Sequence, residues 1–198
     1  MIAAFELARR LFAWLVKAPA PIEVPPVAAV PTPAPPIPVA VPMAVDALPV
    51  TPIPPDNPAL TLALRLIRAF EGCKLRAYQD IVGVWTICFG STNGVKDGMV
   101  KSQTQCDLLL ASEAGGFMLR VLQLCPTLAK NPNRLAAVTS FAYNLGLGAL
   151  KASTLRRKCL ANQWGAASAE FPKWNKAGGI PVRGLTIRRA AERKTFDS

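Results

Sequence analysis

Apolar residues recur at helical spacing at Leu60, Leu64, Ile67 and Phe70, and the pattern ends at Glu71-Gly72. Asp56 or Asn57 supplies an N-cap, Pro58 suits the first helical position, and glycine is a natural helix stop. Residues 74–92 switch to an aromatic and β-branched pattern, turning at D-I-V-G and again near T-N-G, which predicts a small antiparallel sheet. From Thr104 onward the period is helical again: 104–124 with an interruption at Gly115-Gly116, 133–145, about 150–162, 163–175 and 184–196. Residues 133–145 carry few charges and are expected to form a buried central helix. The fold class is therefore α+β, a small antiparallel sheet beside a mainly helical lobe with a cleft between them.

The stretch before this domain follows another pattern. Residues 1–17 read as a short amphipathic helix, with Glu6, Arg10 and Lys17 on a narrow polar side and Phe5, Leu7, Leu11, Phe12, Trp14 and Leu15 on a broad apolar one. Its uncharged core is too short to span a bilayer, which takes ~20 residues. A membrane-surface anchor, a docking helix for a partner protein, and a helix packed on its own domain all remain open. Residues 18–58 hold fifteen of the chain's 19 prolines. They predict an extended tether, since proline removes amide donors and blocks helix. The catalytic candidate is thus the domain of residues 59–198, expected to be monomeric.

Charge divides at the same boundary. Residues 1–58 carry three basic and four acidic side chains, whereas the rest carries 20 basic and 8 acidic ones. Such a field favours polyanionic partners. A run of cations from Lys151 to Lys194, with Glu170 and Glu192 among them, reads equally as a holder of anionic wall polymers and as the solvated side of the last helices. No nucleic-acid-binding signature accompanies it, so nucleic acid is not an expected partner. Histidine is absent. That excludes Ser-His-Asp and Cys-His machinery and H-E-x-x-H zinc sites. The five cysteines form no C-x-x-C pair, so no metal is expected and no cofactor is required.

Carboxylates are left to carry chemistry. Glu71 falls at a helix end, where the dipole and apolar neighbours favour a neutral carboxyl, and Asp80 falls in a polar turn where an ionised one is expected. An acid and a charged partner in contrasting surroundings are what glycosidic bond cleavage requires. Thr86 could direct its hydroxyl toward a water or hold Asp80 in place. Spacing alone does not separate this pair from coincidence.

The blocks around it do. E-G-C-K-L-R-A-Y-Q-D-I-V-G-V-W-T-I-C-F-G (71–90) resembles the active-site signature of the bacteriophage-type lysozymes, or endolysins. The similarity continues through S-F-A-Y-N-L-G (140–146), S-T-L-R-R-K (153–158), Trp164, W-N-K-A-G-G (174–179) and G-L-T-I-R-R-A-A-E-R (184–193), and covers nearly all of 59–198. The resemblance implies a lysozyme-like fold. It also implies a muramidase that hydrolyses the β-1,4 bond between N-acetylmuramic acid and N-acetylglucosamine in peptidoglycan, with inversion in much of the family. By it, Glu71 is the general acid, Asp80 the partner that positions water or stabilises charge, and Thr86 its assistant. Tyr143, Ser153 and Thr154 fall near positions that line the sugar cleft, although Tyr143 serves helix packing equally well. Such an enzyme is made in the host bacterial cytoplasm and acts on the periplasmic cell wall.

Three residues depart from or qualify the pattern. Ser91 stands where many members have histidine, so a structural ion pair common in the family cannot form. Cys88 replaces a usual glycine. Some membrane-tethered members have a cysteine at the place of Cys73 that takes part in a disulfide controlling activity, but residues 1–58 contain no companion cysteine. A buried free thiol acting as a small hydrophobe is the expectation for Cys73; the pairing of the five cysteines stays open, and because five is odd at least one is free or pairs with another chain. The alternative to an enzyme is a cationic wall- or membrane-binding virion component that acts without hydrolysis.

Overall fold

The computed structural model describes residues 53–54, 56–80 and 83–198. The segment expected as an amphipathic helix, 1–17, and the Pro-rich stretch up to residue 52 lie outside the described residues. Helix α1 (Pro58–Glu71) begins at Asn57, whose side chain accepts from Leu60 N at 3.1 Å, and Pro58 fills the first turn. Of the two N-caps offered by the pattern, Asn57 is the one used. The helix ends at Gly72, whose φ of 66° is a left-handed value that glycine accommodates without strain. Strands β1 (Lys74–Gln79) and β2 (Trp85–Cys88) then pair antiparallel, with Tyr78 opposite Thr86 and Lys74 opposite Cys88.

Helix α2 (Gln103–Leu124) starts with a capping box. Ser102 Oγ accepts from Gln105 N, and Gln105 returns the bond to Ser102 N. The expected interruption at Gly115-Gly116 does not occur. Two glycines cost about 1 kcal/mol each in a helix interior. Burial of Cys106, Leu110, Ala114, Met118 and Val121 along one face outweighs that cost. After a 3₁₀ turn (Pro126–Lys130) comes α3 (Pro132–Leu145), in which every residue from Leu135 to Leu145 is buried. This is the central helix that its low charge predicted, and it packs against α1 and α2.

The helix expected at about 150–162 is two helices, α4 (Leu147–Ala152) and α5 (Thr154–Leu160). Ser153 divides them. Its Oγ donates to Leu150 O at 2.7 Å and accepts from Arg156 N at 3.0 Å, so one hydroxyl closes the first helix and caps the second. The expected 163–175 helix is also split, into α6 (Trp164–Ser168) and a 3₁₀ turn (Phe171–Trp174) that contains Pro172. A hairpin absent from the sequence expectation follows. Strands β3 (Lys176–Ala177) and β4 (Ile180–Pro181) are joined by Gly178 and Gly179, both at positive φ as a two-residue hairpin turn demands. Helix α7 (Arg183–Asp197) closes the fold against α3.

The core is continuous from α1 through α3 to α7. Phe141 on α3 meets Phe171 and Trp174 edge-on at 5.8 and 5.4 Å, and Phe196 of α7 packs on Phe171 at 5.4 Å. Two of the cysteines, whose pairing the sequence left open, are bridged. Cys88–Cys106 ties β2 to α2, whereas Cys73, Cys125 and Cys159 are free. Cys88 also adopts a φ of 58°, which explains why glycine suits that position: a left-handed residue with a side chain costs roughly 1–2 kcal/mol. Burial pushes the Cys125 thiol up to about 11 and that of Cys159 up to about 12.

Two outcomes follow for the cysteines. Reducing the bridge, which closes a loop of 18 residues, lowers unfolding free energy by about 2–4 kcal/mol in denaturant titrations. A thiol-specific reagent at pH 8 labels Cys73 alone in the native protein, and Cys125 and Cys159 only after unfolding.

Candidate active site

Glu71 is the last residue of α1, and its side chain is only 8 % exposed. The local reason is plain: the apolar stripe of α1 faces α3, and the final turn carries Glu71 into the space between them. There it meets a residue that the sequence expectation assigned to a solvated or anion-holding charge run. Arg188 Nη1 of α7 lies 2.7 Å from Glu71 Oε1. Arg188 is itself buried, and its Nε donates to Glu192 Oε1 at 3.2 Å.

The network continues inward. Arg189 Nη2 donates to Glu192 Oε1 and to Asn144 Oδ1, both at 2.9 Å. Ser140 Oγ adds a third donor to Glu192 Oε1 at 2.8 Å. Two carboxylates and two guanidiniums therefore share one dry site between α1, α3 and α7. Burial works against the charge on Arg188, but Glu71 and Glu192 more than compensate, and its pKa is raised. For Arg189 burial wins over Glu192, and its pKa falls to about 10.

This corrects the picture of the C-terminal cations as one class. Arg188 and Arg189 are structural and buried. Arg193 pairs with Asp197 at 3.6 Å on the surface, and Lys173 with Glu170 at 2.7 Å. One signal was available in the sequence: Arg188 and Glu192 stand four apart, a spacing that brings two side chains together on a helix. The partner 117 residues away was not legible.

Asp80 closes the β1–β2 hairpin. Its Oδ1 accepts from Val84 N at 2.8 Å, and its own N donates to Val84 O at 3.0 Å. Thr86 Oγ1, buried, donates to Val84 O at 3.0 Å. Asp80 and Thr86 thus both bind the backbone of Val84, whose carbonyl accepts from each of them.

The three cleft candidates fall in different settings. Tyr143 is 1 % exposed; its ring packs on Phe117 at 5.2 Å and its hydroxyl donates to Glu113 Oε2 at 3.0 Å. Glu113 in turn lines a cavity of about 240 Å³ with Gly90, Ser91, Thr92, Asn93 and Arg120. Ser91 is buried there, and its hydroxyl has no hydrogen-bond partner among the described residues. Ser153 is the buried cap described above. Thr154 belongs to a separate surface cavity with Arg157, Lys158 and Gln163. Cys73, two residues beyond Glu71, is half-buried with a raised pKa, burial being the main cause.

A helix-end glutamate, a hairpin carrying Asp80 and Thr86, and a helical lobe behind them define a lysozyme-like architecture. The phage lysozyme family model matches residues 68–192, and the chain belongs to that family. It is a lysozyme, a cell-wall lytic enzyme of the muramidase type whose substrate is peptidoglycan. The chain is similar to an endolysin of Acyrthosiphon pisum secondary endosymbiont phage 1, 37 % identical over 142 residues, covering 68 % of this chain and 94 % of that one. A similar likeness holds to a SAR-endolysin of Pseudomonas phage phiKMV, 36 % identical and covering 69 % and 86 %. Of the Bacillus phage PZA endolysin, 35 % identical, the match spans 53 %. Among solved structures, the muramidase domain of SpmX from Asticcacaulis excentricus aligns with a TM-score of 0.64 at 26 % identity, covering 69 % of this chain and 95 % of that one. A variant of P22 lysozyme aligns with a TM-score of 0.59 at 30 % identity, covering 69 % and 95 %.

Replacing Arg188 by methionine leaves Glu71 and Glu192 short of a buried partner. The expected cost is about 3–5 kcal/mol of unfolding free energy, read from chemical denaturation. Substituting Arg183, exposed on the same helix, should change it by less than about 0.5 kcal/mol.

Proposed function

We propose that the chain cleaves the β-1,4 bond between N-acetylmuramic acid and N-acetylglucosamine, with Glu71 as general acid and Asp80 and Thr86 as its partners. The observation that carries this assignment is the shared grip on Val84. Three hydrogen bonds within one turn fix Asp80 and Thr86 relative to the strand that continues from the Glu71 helix. A carboxylate that positions an attacking water works only if it is itself held, because misplacement by about 1 Å can cost 10²-fold in rate.

In this mechanism Glu71 gives its proton to the glycosidic oxygen as the bond to the anomeric carbon lengthens. Arg188 engages Oε1, which leaves Oε2 as the oxygen that carries the transferable proton. Asp80 directs a water to the opposite face of the sugar ring and stabilises the positive charge that develops there. Thr86 braces the loop that presents Asp80. The product is the inverted anomer, as the resemblance to the phage lysozymes implies. Tyr143 acts through Glu113 in shaping the cleft wall, since almost none of its own surface is exposed.

A cationic protein acting on walls without hydrolysis is the competing reading, favoured by the net charge of +11. Glu71→Gln separates the two, because the amide keeps the shape and loses the acid. Reducing-end release from purified peptidoglycan should fall at least 10²-fold while the circular dichroism spectrum is retained. Clearing of walls at the parental rate by that variant would sink the enzymatic assignment. We further propose that residues 1–58 deliver the domain and take no part in bond cleavage. A chain lacking them should hydrolyse isolated wall within about twofold of the parent and lose its distribution in fractionated host cells.

A further inference from the structure

The cavity that contains Thr154 shares no lining residue with the Val84 hairpin or with Glu71 and has its own chemistry. It is a shallow basin of about 290 Å³ on the outer side of α5, lined by Thr154, Arg157, Lys158 and Gln163. Its side chains are tied to one another in a particular sense. Arg157 Nη2 donates to Thr154 Oγ1 at 2.7 Å, and Lys158 Nζ donates to Gln163 Oε1 at 2.8 Å. Each bond consumes the acceptor of the neutral residue. The Thr154 hydroxyl is left with its proton to give, Gln163 with its amide N–H groups, and both cations with their remaining N–H groups. All four lining side chains are therefore donors, and two of them are charged.

The surroundings do not neutralise them. The sequence contains no Asp or Glu between Glu113 and Glu170, whereas seven Lys and Arg fall in that interval. Lys151 is exposed close by in the chain, and Arg156 beside the basin bonds backbone carbonyls, Leu124 O at 2.9 Å and Lys151 O at 3.5 Å. Neither Arg157 nor Lys158 has a carboxylate within ion-pair distance among the described residues. Two cations three and four residues beyond Thr154, pinned to neutral neighbours rather than to acids, form a preorganised positive basin.

We propose that this basin binds a phosphate group of the bacterial envelope, separately from bond cleavage. A phosphate is favoured over a carboxylate by the number of donors. Four lining side chains, two of them cationic, offer more N–H and O–H groups than the two oxygens of a carboxylate can engage, which suits the additional oxygens of a phosphate. The group can belong to a phosphodiester polymer of the wall or to a phospholipid headgroup. In either case it would hold the enzyme against an anionic surface between cleavage events, and salt would weaken it.

The test uses the full chain labelled with ¹⁵N and titrated with inorganic phosphate, and in parallel with acetate, at constant ionic strength. Phosphate should shift the amides of residues 154–163 in a saturable way, and acetate should do so at least fivefold more weakly. The double variant Arg157→Gln/Lys158→Gln should lose at least fivefold in phosphate affinity. Lys96→Gln/Lys176→Gln, which removes the same charge from exposed positions elsewhere, should stay within twofold of the parent. All four substituted side chains lie outside the core, and matched melting temperatures would confirm an intact fold. Equal phosphate affinity in the two double variants, or equal response to acetate, overturns the proposal. For the source, sedimentation with phosphatidylglycerol vesicles is compared with retention on a glycerol-phosphate polymer. Loss in the Arg157/Lys158 variant on one of these carriers identifies which bears the group, and loss on neither overturns the envelope role.

Discussion

Glu71 and Glu192, with Arg188 and Arg189, form the interaction on which the rest of the structure depends. Two acidic and two basic side chains meet there, each nearly or wholly cut off from water. A single charge in that position would cost several kcal/mol. Together the four exchange solvation for short contacts, and Ser140 and Asn144 add further hydrogen bonds. The network also joins α1, α3 and α7, elements far apart in sequence, at the C-terminal end of the helix that bears the proposed acid. Position of the carboxyl and integrity of the helical lobe are therefore one problem, solved by one set of contacts.

The hairpin meets a different constraint. A two-stranded sheet has little stability of its own, and this one carries Asp80, the proposed partner of the acid, at its turn. It is held at both ends. At the turn, the Val84 backbone is gripped by Asp80 and Thr86. At the far end, Cys88 is bridged to Cys106 on α2 and Lys101 N donates to Leu75 O. The bridge also restrains a residue whose left-handed backbone would otherwise favour glycine. Ser91, three residues on, lies buried with no hydrogen-bond partner for its hydroxyl among the described residues.

Charge in this protein is sorted by depth. The last helix carries cations of two kinds that look alike in sequence: Arg188 and Arg189 inside, Arg183 and Lys194 outside. The surface cations of α5 form a third group, set in an interval free of acids. The first kind holds the Glu71 carboxyl in place, and the others face solvent, where they can meet a polyanionic partner.

Much was determined by the sequence alone. Local signals are short-range physics, so Asn57-Pro58 placed the start of α1, Glu71-Gly72 its end, and low charge over 133–145 the buried helix. The lysozyme class was legible because its blocks keep order and spacing, and absence of histidine removed rival chemistries. Other features were decided only by tertiary structure. Gly115-Gly116 stays helical because packing of Leu110, Ala114 and Met118 exceeds two propensity penalties, and Ser153 ends one helix because its hydroxyl finds Leu150 O. The partnership of Cys88 with Cys106 and that of Glu71 with Arg188 required the chain to fold back across 18 and 117 residues. No local pattern encodes a contact of that kind, because its energy comes from shared burial that exists only once α1, α3 and α7 have closed around it.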